Sequence, residues 1–471
     1  MRLPLLVVLL LGCGHHSGKV DAGEADAFEF KDACTDLSCF QVDCTTKGLP
    51  STSVSGTVYA PNGTLKLYGV DVYVPRSDPG PLAEGVQCNN CAIGLQGGSY
   101  AQTRTDENGH FVLEDVPATT NVPLVIQIGK WRRQITLPAV AACQDLALPV
   151  TDTRLPKDRS EGDLPQIAIS TGAADALECL VYRLGIGATE FTTPVGGGRV
   201  HMYSNVGLAA PTAQPPSFGR GSDRFNSTWP GGADAVFGDS RDLWASSTSL
   251  NPYDIVMLSC EGGQYATTKP QTAMDALESY ADAGGRVFMS HWHNIWIGGE
   301  SGNLTHGIPD WQAVATWNYA AAQDELTQLD IVDETVPKGM SFATWLLNNG
   351  VPGPRGQLTI SEPRYTCQSH DSMRGERWVY VDPLLSTPPG KVSVQDLLFT
   401  TPQNKLPEDR CGKVVFSDMH VSSGSVSGSG TTGTTYAYPF PNGCSTSDLT
   451  PQEKALAFIF FDISSCVGTI F

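Results

Sequence analysis

Beyond its first dozen residues, this 471-residue chain contains no apolar run near the roughly 20 residues that a membrane-spanning helix needs. Positive charge is also scarce. Thirty Lys and Arg face 49 Asp and Glu, for a net charge of −19 and a pI near 4.8. Such a surface repels nucleic acid and anionic lipid, so nucleic-acid binding is set aside. A second Cys-x-x-Cys pair is missing. Cys88-Asn89-Asn90-Cys91 stands alone, which excludes a zinc knuckle built from two such pairs. The pair reads instead as a loop staple, or as halves of two different bridges.

What is present begins with an address. Met1-Arg2 precedes an apolar run from Leu3 to Leu11, too short to span a bilayer but suited to a secretory signal. The run ends Leu10-Leu11-Gly12-Cys13, which resembles the lipobox of bacterial lipoproteins. The resemblance implies a lipid on the Cys13 thiol, a mature chain starting there, and membrane attachment through that lipid. Gly14 at the next position fits sorting to the outer membrane of a Gram-negative bacterium. With Cys13 set aside, the rest of the 13 cysteines are even in number, which in an oxidising compartment points to disulfides. Residues 14–33 are small, polar and acidic, a tether leading into a Cys-rich stretch up to residue 50. His15-His16 within it reads as solvated spacer, with metal binding as the sharper alternative.

Residues 51–150 carry short alternating runs: Ser53 to Tyr59, Gly69 to Val74, His110 to Leu113, Leu124 to Ile128 and Gln134 to Leu137. Pro61-Asn62-Gly63, Pro75 and Asp106-Glu107-Asn108-Gly109 punctuate them, the pattern of a small β-sandwich. The stretch Thr105-Asp106-x-x-Gly109-x-Phe111-x-Leu113-x-x-Val116-Pro117-Ala118, preceded by Gly56-x-Val58 and Val70-x-Val72, resembles carboxypeptidase regulatory-like domains. That resemblance implies a non-catalytic sandwich that acts as spacer or binding platform. Residues 151–165, charged and Pro-punctuated, read as a linker.

From Gln166 the pattern becomes strand–helix alternation. Near-continuous apolar strands are expected at Gln166–Ser170, Arg199–Tyr203, Tyr253–Ser259, Arg286–Met289 and Lys413–Phe416. Helices are expected around Leu177–Leu184 and Thr272–Ala283, and after the Thr450-Pro451-Gln452-Glu453 capping box, with Leu456, Ile459, Phe460 and Ile463 on its apolar side. This predicts an α/β domain over 166–471 with a mostly parallel, flavodoxin- or Rossmann-like sheet. In such folds the chemistry lies at the carboxyl ends of the strands.

Three strand ends carry reactive groups: Ser259-Cys260-Glu261, Ser290-His291-Trp292-His293 and Ser417-Asp418-Met419-His420. The Gly284-Gly285-Arg286-Val287-Phe288 strand and the late Gly412-Lys413-Val414-Val415-Phe416 strand delivering His420 resemble the class I glutamine-amidotransferase-like superfamily, including its trehalose-utilisation-type members. Amidotransferases of that superfamily present their cysteine in a Gly-x-Cys-x-Gly elbow. Here the matching strand end is Ser290-His291-Trp292, which speaks against glutaminase activity.

Three readings stay open. In one, Glu261, His291, Trp292, His293, Asp418 and His420 line a binding crevice for an envelope glycan or peptide, with Trp292 and Trp296 as stacking surfaces. In the second, Cys260 or Ser290 is a nucleophile served by His420, oriented by Asp418 or Glu261, in an amide, ester or glycan hydrolase. In the third, His291, His293 and His420, with Asp418, hold a divalent metal such as zinc. A loop at 423–435, rich in Gly, Ser and Thr, follows His420. One bridge is expected from topology. A helix that follows a strand runs back antiparallel to it, which would bring Cys466 beside Cys411.

Overall fold

A computed structural model describes residues 36–89, 94–208, 225, 237–320, 327–421 and 440–467. The Cys13 lipobox, the tether, Cys34, Cys91 and the 423–435 loop lie outside the described residues.

Five strands arise where the alternating runs predict them, and β3 and β7 are added to them: β1 Ser53–Thr57, β2 Asp71–Pro75, β3 Ser99–Arg104, β4 His110–Leu113, β5 Thr120–Ile128, β6 Trp131–Ala139 and β7 Asp145–Ala147. They form two sheets, β4-β1-β7 and β3-β2-β5-β6. The turn before β4 is set by Asp106, whose carboxylate accepts the backbone N–H groups of Asn108 and His110. In β4 itself His110 and Val112 face out while Phe111 and Leu113 are buried, the period of two expected of a half-buried strand.

The second unit contributes β8 Ile167–Thr171, β9 Phe191–Thr192, β10 Val200–Ser204, β11 Gly238–Asp239, β12 Ile255–Leu258, β13 Arg286–Ser290, β14 Ala315–Trp317, β15 Gln328–Val332, β16 Gln357–Ile360, β17 Cys367–His370, β18 Glu376–Val381, β19 Ser393–Thr401 and β20 Gly412–Ser417. The main sheet has eleven strands in the order β11-β10-β8-β12-β13-β20-β19-β18-β15-β16, with β9 beside β10. From β11 to β20 every pairing is parallel. Taken in chain order, β8, β10, β12, β13 and β20 lie as 2-1-3-4-5, one of the two common doubly wound orders. Beyond β20 the pairings are antiparallel. The expectation of a mostly parallel sheet therefore holds for one half, and residues 328–401 supply an antiparallel half.

The two units share one core. The helix Pro451–Ser464 starts from the predicted capping box, with Thr450 and Glu453 exchanging side-chain-to-backbone hydrogen bonds. It is buried on nearly every side rather than on one apolar face. Phe458 packs against Phe342, Trp345 and Trp378 from the sheet side and stacks on Tyr68 of the N-terminal unit. Phe460 and Phe461 both meet Trp131. The hairpin between β5 and β6 presses so closely on this helix that a Cβ at Gly129, where φ is +54°, would lie 2.0 Å from the Ser464 carbonyl oxygen. Residues 151–165, expected as a linker, are packed down too: Leu155 and Leu164 are buried, and Arg154 pairs with Glu161.

Disulfides join Cys44 to Cys143, Cys88 to Cys411 and Cys179 to Cys444. Cys39 and Cys466 are also disulfide-bonded. The expected Cys411–Cys466 bridge is thus not formed. The helix end does lie near the start of β20: Arg286 reaches the carbonyls of both Cys411 and Ser465. The 87–89 segment runs through the same place, with Val467 N–H donating to the Asn89 carbonyl, and it brings Cys88 to Cys411. Nor are all the remaining cysteines bridged: Cys260 and Cys367 are free and buried.

Because Trp131 is fully buried at the seam, Trp131→Ala should cost about 3–5 kcal/mol. Denaturant unfolding should remain a single transition that shifts as a whole. Two separated transitions would show that the units hold independent cores.

Candidate functional site

The parallel register brings the ends of β8, β12, β13 and β20 to one edge of the sheet. The last residues of the strands there are small and polar: Thr171 lies opposite Ser204, and Ser417 lies between Ser290 and Asp396. The reactive groups leave the strands just past this level. Cys260 follows β12, His291 follows β13 and His420 follows β20.

Asp175, in the loop after β8, ties these ends together. One carboxylate oxygen accepts the Ser290 hydroxyl at 2.6 Å. The other accepts the backbone N–H groups of Ala176 at 2.8 Å and Val421 at 2.9 Å. The β8 loop also needs Gly172, where a Cβ would sit 2.2 Å from the Cys260 carbonyl oxygen. At the end of β13 the chain turns sharply, and His291 adopts a left-handed φ of 38°. Such strain in a non-glycine residue persists only where the surroundings impose it.

The outcome is a compact, dry cluster. Cys260 Sγ lies 3.6 Å from His291 Nδ1, and the His291 and His420 ring centroids are 5.2 Å apart. One ligand-type atom from each of Cys260, His291 and His420 lies within 4.8 Å of the other two. His291 Nε2 and both ring nitrogens of His420 are buried without a hydrogen-bond partner among the described residues. Burial, reinforced by the nearby Arg364 guanidinium, holds both imidazoles well below their ordinary range. Burial also pushes the Cys260 thiol up to about 12. The resting cluster is a neutral thiol beside two neutral imidazoles.

Other expected site residues serve structure. His293 spends both ring nitrogens: Nε2–H donates to the Ser259 carbonyl at 3.0 Å and Nδ1 accepts from Trp296 Nε1 at 3.0 Å. It is therefore not available as the metal ligand expected of it. Glu261 is fully buried in an ion pair with Lys269 at 2.7 Å and also accepts from Asn205. Asp418 accepts the Thr366 hydroxyl and the N–H groups of Thr366 and Cys367, so it anchors β17 rather than orienting His420. Burial raises that carboxyl to about 6 despite these three donors. Ser290 gives its proton to Asp175 and not to an imidazole. Trp296 is core, edge-on to Trp244. Trp292 is half-buried beside His291, ring centroids 4.6 Å apart.

Two participants escaped the sequence reading. Asp175 follows the first strand end, Thr171-Gly172-Ala173-Ala174-Asp175, and extending the strand-end rule to that strand would have found it. Arg364 comes from the antiparallel half, which carried no motif. An open groove lies away from this cluster. It has a volume of about 920 Å³ and lies between the 81–85 loop and the edge of the sheet at Arg199, His201 and Tyr253.

No family model and no curated protein matches the chain. Among solved structures, a protein described as thua-like from Bacteroides uniformis is similar at 11% identity, covering 48% of this chain and 75% of that one, with a TM-score of 0.26. Two interface mutants of a type II cohesin–X-dockerin complex from Acetivibrio cellulolyticus are similar at 18% and 17% identity. They cover 30% and 32% of this chain and 75% and 88% of theirs, with TM-scores of 0.15 and 0.17. Likeness at these scores identifies no function.

The two depressed imidazoles have a pH signature. Below the unfolded value of about 6.5 the unfolded chain binds protons that the folded cluster refuses, so their contribution to stability falls with pH. In chelator-containing buffer the urea midpoint should drop between about pH 7 and pH 5. His420→Gln should flatten that slope. Parallel profiles for the two proteins would contradict buried, neutral imidazoles.

Proposed function

We propose that this chain is an exported lipoprotein, anchored through Cys13 in the outer membrane of a Gram-negative bacterium, whose α/β unit is a recognition module without glutaminase activity. The observation that carries this reading is the turn after β13. The residue there, with φ of 38°, is His291, where an amidotransferase-like sheet would present its cysteine. An imidazole at the elbow puts no thiol nucleophile at that position. In this reading the N-terminal unit is the carboxypeptidase regulatory-like sandwich that holds the α/β unit off the membrane, and the α/β unit is of the trehalose-utilisation type. Trp292 offers an aromatic face beside His291, a pairing suited to the ring and hydroxyls of an envelope glycan, or to a peptide.

A second reading is favoured by one contact. Cys260 Sγ and His291 Nδ1 at 3.6 Å form a thiol–imidazole pair of the kind thiol hydrolases use. In that reading His291, not His420, is the base, and Ser290 is a supporting residue.

Anchoring is tested by Cys13→Ala, which should accumulate as unprocessed, non-acylated precursor. Recovery of acylated mature protein from that variant would refute the anchor. Recognition is tested by thermal shift of the full chain in detergent against envelope glycans and peptides. A ligand that raises Tm in the native protein and not in Trp292→Ala supports the module. Turnover of amide or ester substrates that is lost in Cys260→Ala would transfer the site to the hydrolase reading.

A further inference from the structure

Several buried polar side chains around the strand ends have their partners within the fold. His293 has two partners, Asp418 three donors, and Glu261 a lysine and an amide. Against that background, three imidazole nitrogens, one on His291 and two on His420, are buried with no partner among the described residues. These nitrogens belong to two imidazoles that converge on the Cys260 thiol. A cation bound by the Cys260 sulfur and by one nitrogen of each ring would be a partner common to the three side chains.

We infer that Cys260, His291 and His420 form a site for one divalent cation of the zinc class, with its fourth coordination position open. The residue types are those of zinc sites: soft thiolate sulfur and neutral imidazole nitrogen. The geometry is close to what that ion requires. Zn–S of about 2.3 Å and Zn–N of about 2.0–2.1 Å place sulfur and nitrogen roughly 3.6 Å apart in a tetrahedron. Cys260 Sγ and His291 Nδ1 are 3.6 Å apart. The widest separation in the cluster is bounded by 4.8 Å, so His420 has to close by about 1 Å or less, a side-chain adjustment.

The surroundings are prepared for a thiolate. Gly262 N–H points at Cys260 Sγ at 3.4 Å, a backbone donor of the kind that supports metal-bound sulfur. Loading the ion forms one sulfur–metal and two nitrogen–metal bonds and releases the thiol proton to solvent. Among the described residues, the carboxylates of Asp175 and Asp418 are engaged by backbone and hydroxyl donors. The fourth position is therefore left for water or for a ligand with an oxygen or nitrogen donor. This set differs from the sequence expectation in two ways: Cys260 replaces His293, and Asp418 takes no part. The inference rests on the recognition reading only for where the site lies.

The test uses the full chain in detergent, carrying His15→Ala and His16→Ala to remove the neighbouring tether histidines, stripped with a chelator. Zn²⁺ is titrated by calorimetry and Co²⁺ by absorption. The expected result is one cation per chain, with a thiolate-to-cobalt charge-transfer band. Partners outside the ligand shell typically cost about 10–100-fold in metal affinity, so His291→Ala or His420→Ala should lose more than about 100-fold. Cys260→Ser should abolish the band, and Cys367→Ala, which removes the other free thiol, should preserve both band and affinity. Absence of saturable binding would overturn the site. So would a band-free cobalt complex, or unchanged affinity in the His291→Ala/His420→Ala double variant. The band is read on the protein with its cluster intact, so the test survives a variant that fails to fold. Failure of every glycan and peptide in the thermal-shift screen would leave the metal titration standing, and the reverse also holds.

Discussion

The structure depends on one buried helix. Pro451–Ser464 is apolar around most of its circumference because it is covered from two directions, by the sheet and by the N-terminal unit. Phe458 meets both coverings, and the Phe460–Phe461 pair meets Trp131 of the N-terminal unit. Its polar residues are used as fixings. Glu453 closes the cap and takes Arg183 in a buried ion pair, while Asp462 receives both Lys338 and Lys413. With that helix in place the core of the N-terminal unit runs on into one face of the sheet, while a second cluster of the α/β unit stands apart from it, and Leu155 and Leu164 of the 151–165 segment join the shared core.

The reactive edge of the sheet depends in turn on Asp175. A single carboxylate reaches the hydroxyl at the end of β13 and the main chain just past β20. It fixes the spacing of the segments that carry His291 and His420. The left-handed backbone of His291 is the local expense of that arrangement, and the fixed neighbours on both sides are what hold it. Cys260 is positioned by backbone contact with the Gly172 loop, so it does not need a hydrogen-bonded orienting residue.

Much of this was legible from periodicity. The five parallel strands and three of the helices of the α/β unit lie where apolar runs and caps placed them, within a residue or two, while the helix Gly339–Asn348 was not anticipated. The strand-end rule picked out Cys260, His291 and His420 without any motif. What was not legible had physical causes. The antiparallel half, 328–401, carries buried polar residues such as Asp330, Gln395 and Asp396 in its strands. Its pattern therefore lacks the continuous apolar signature of β12 or β13. Separating ligands from structural histidines was also out of reach. His291 and His293 are separated by a single residue, and only the Ser259 carbonyl, on the preceding strand, and the nearby Trp296 indole decide that His293 is occupied. The disulfide partner of Cys411 was lost for a similar reason, since the segment that supplies Cys88 belongs to the other unit.

The long reach of those contacts bears on how the chain is made. The Cys88–Cys411 bridge spans 323 residues, and Trp131 finds Phe460 and Phe461 over a comparable distance. During translation the N-terminal strands emerge long before the surface that completes their core. The nascent chain must carry the Trp131 face uncovered until the helix at 451–464 has left the ribosome. This is a protein whose first-made part is the last to be finished, and a holding chaperone during synthesis is the assistance its architecture calls for.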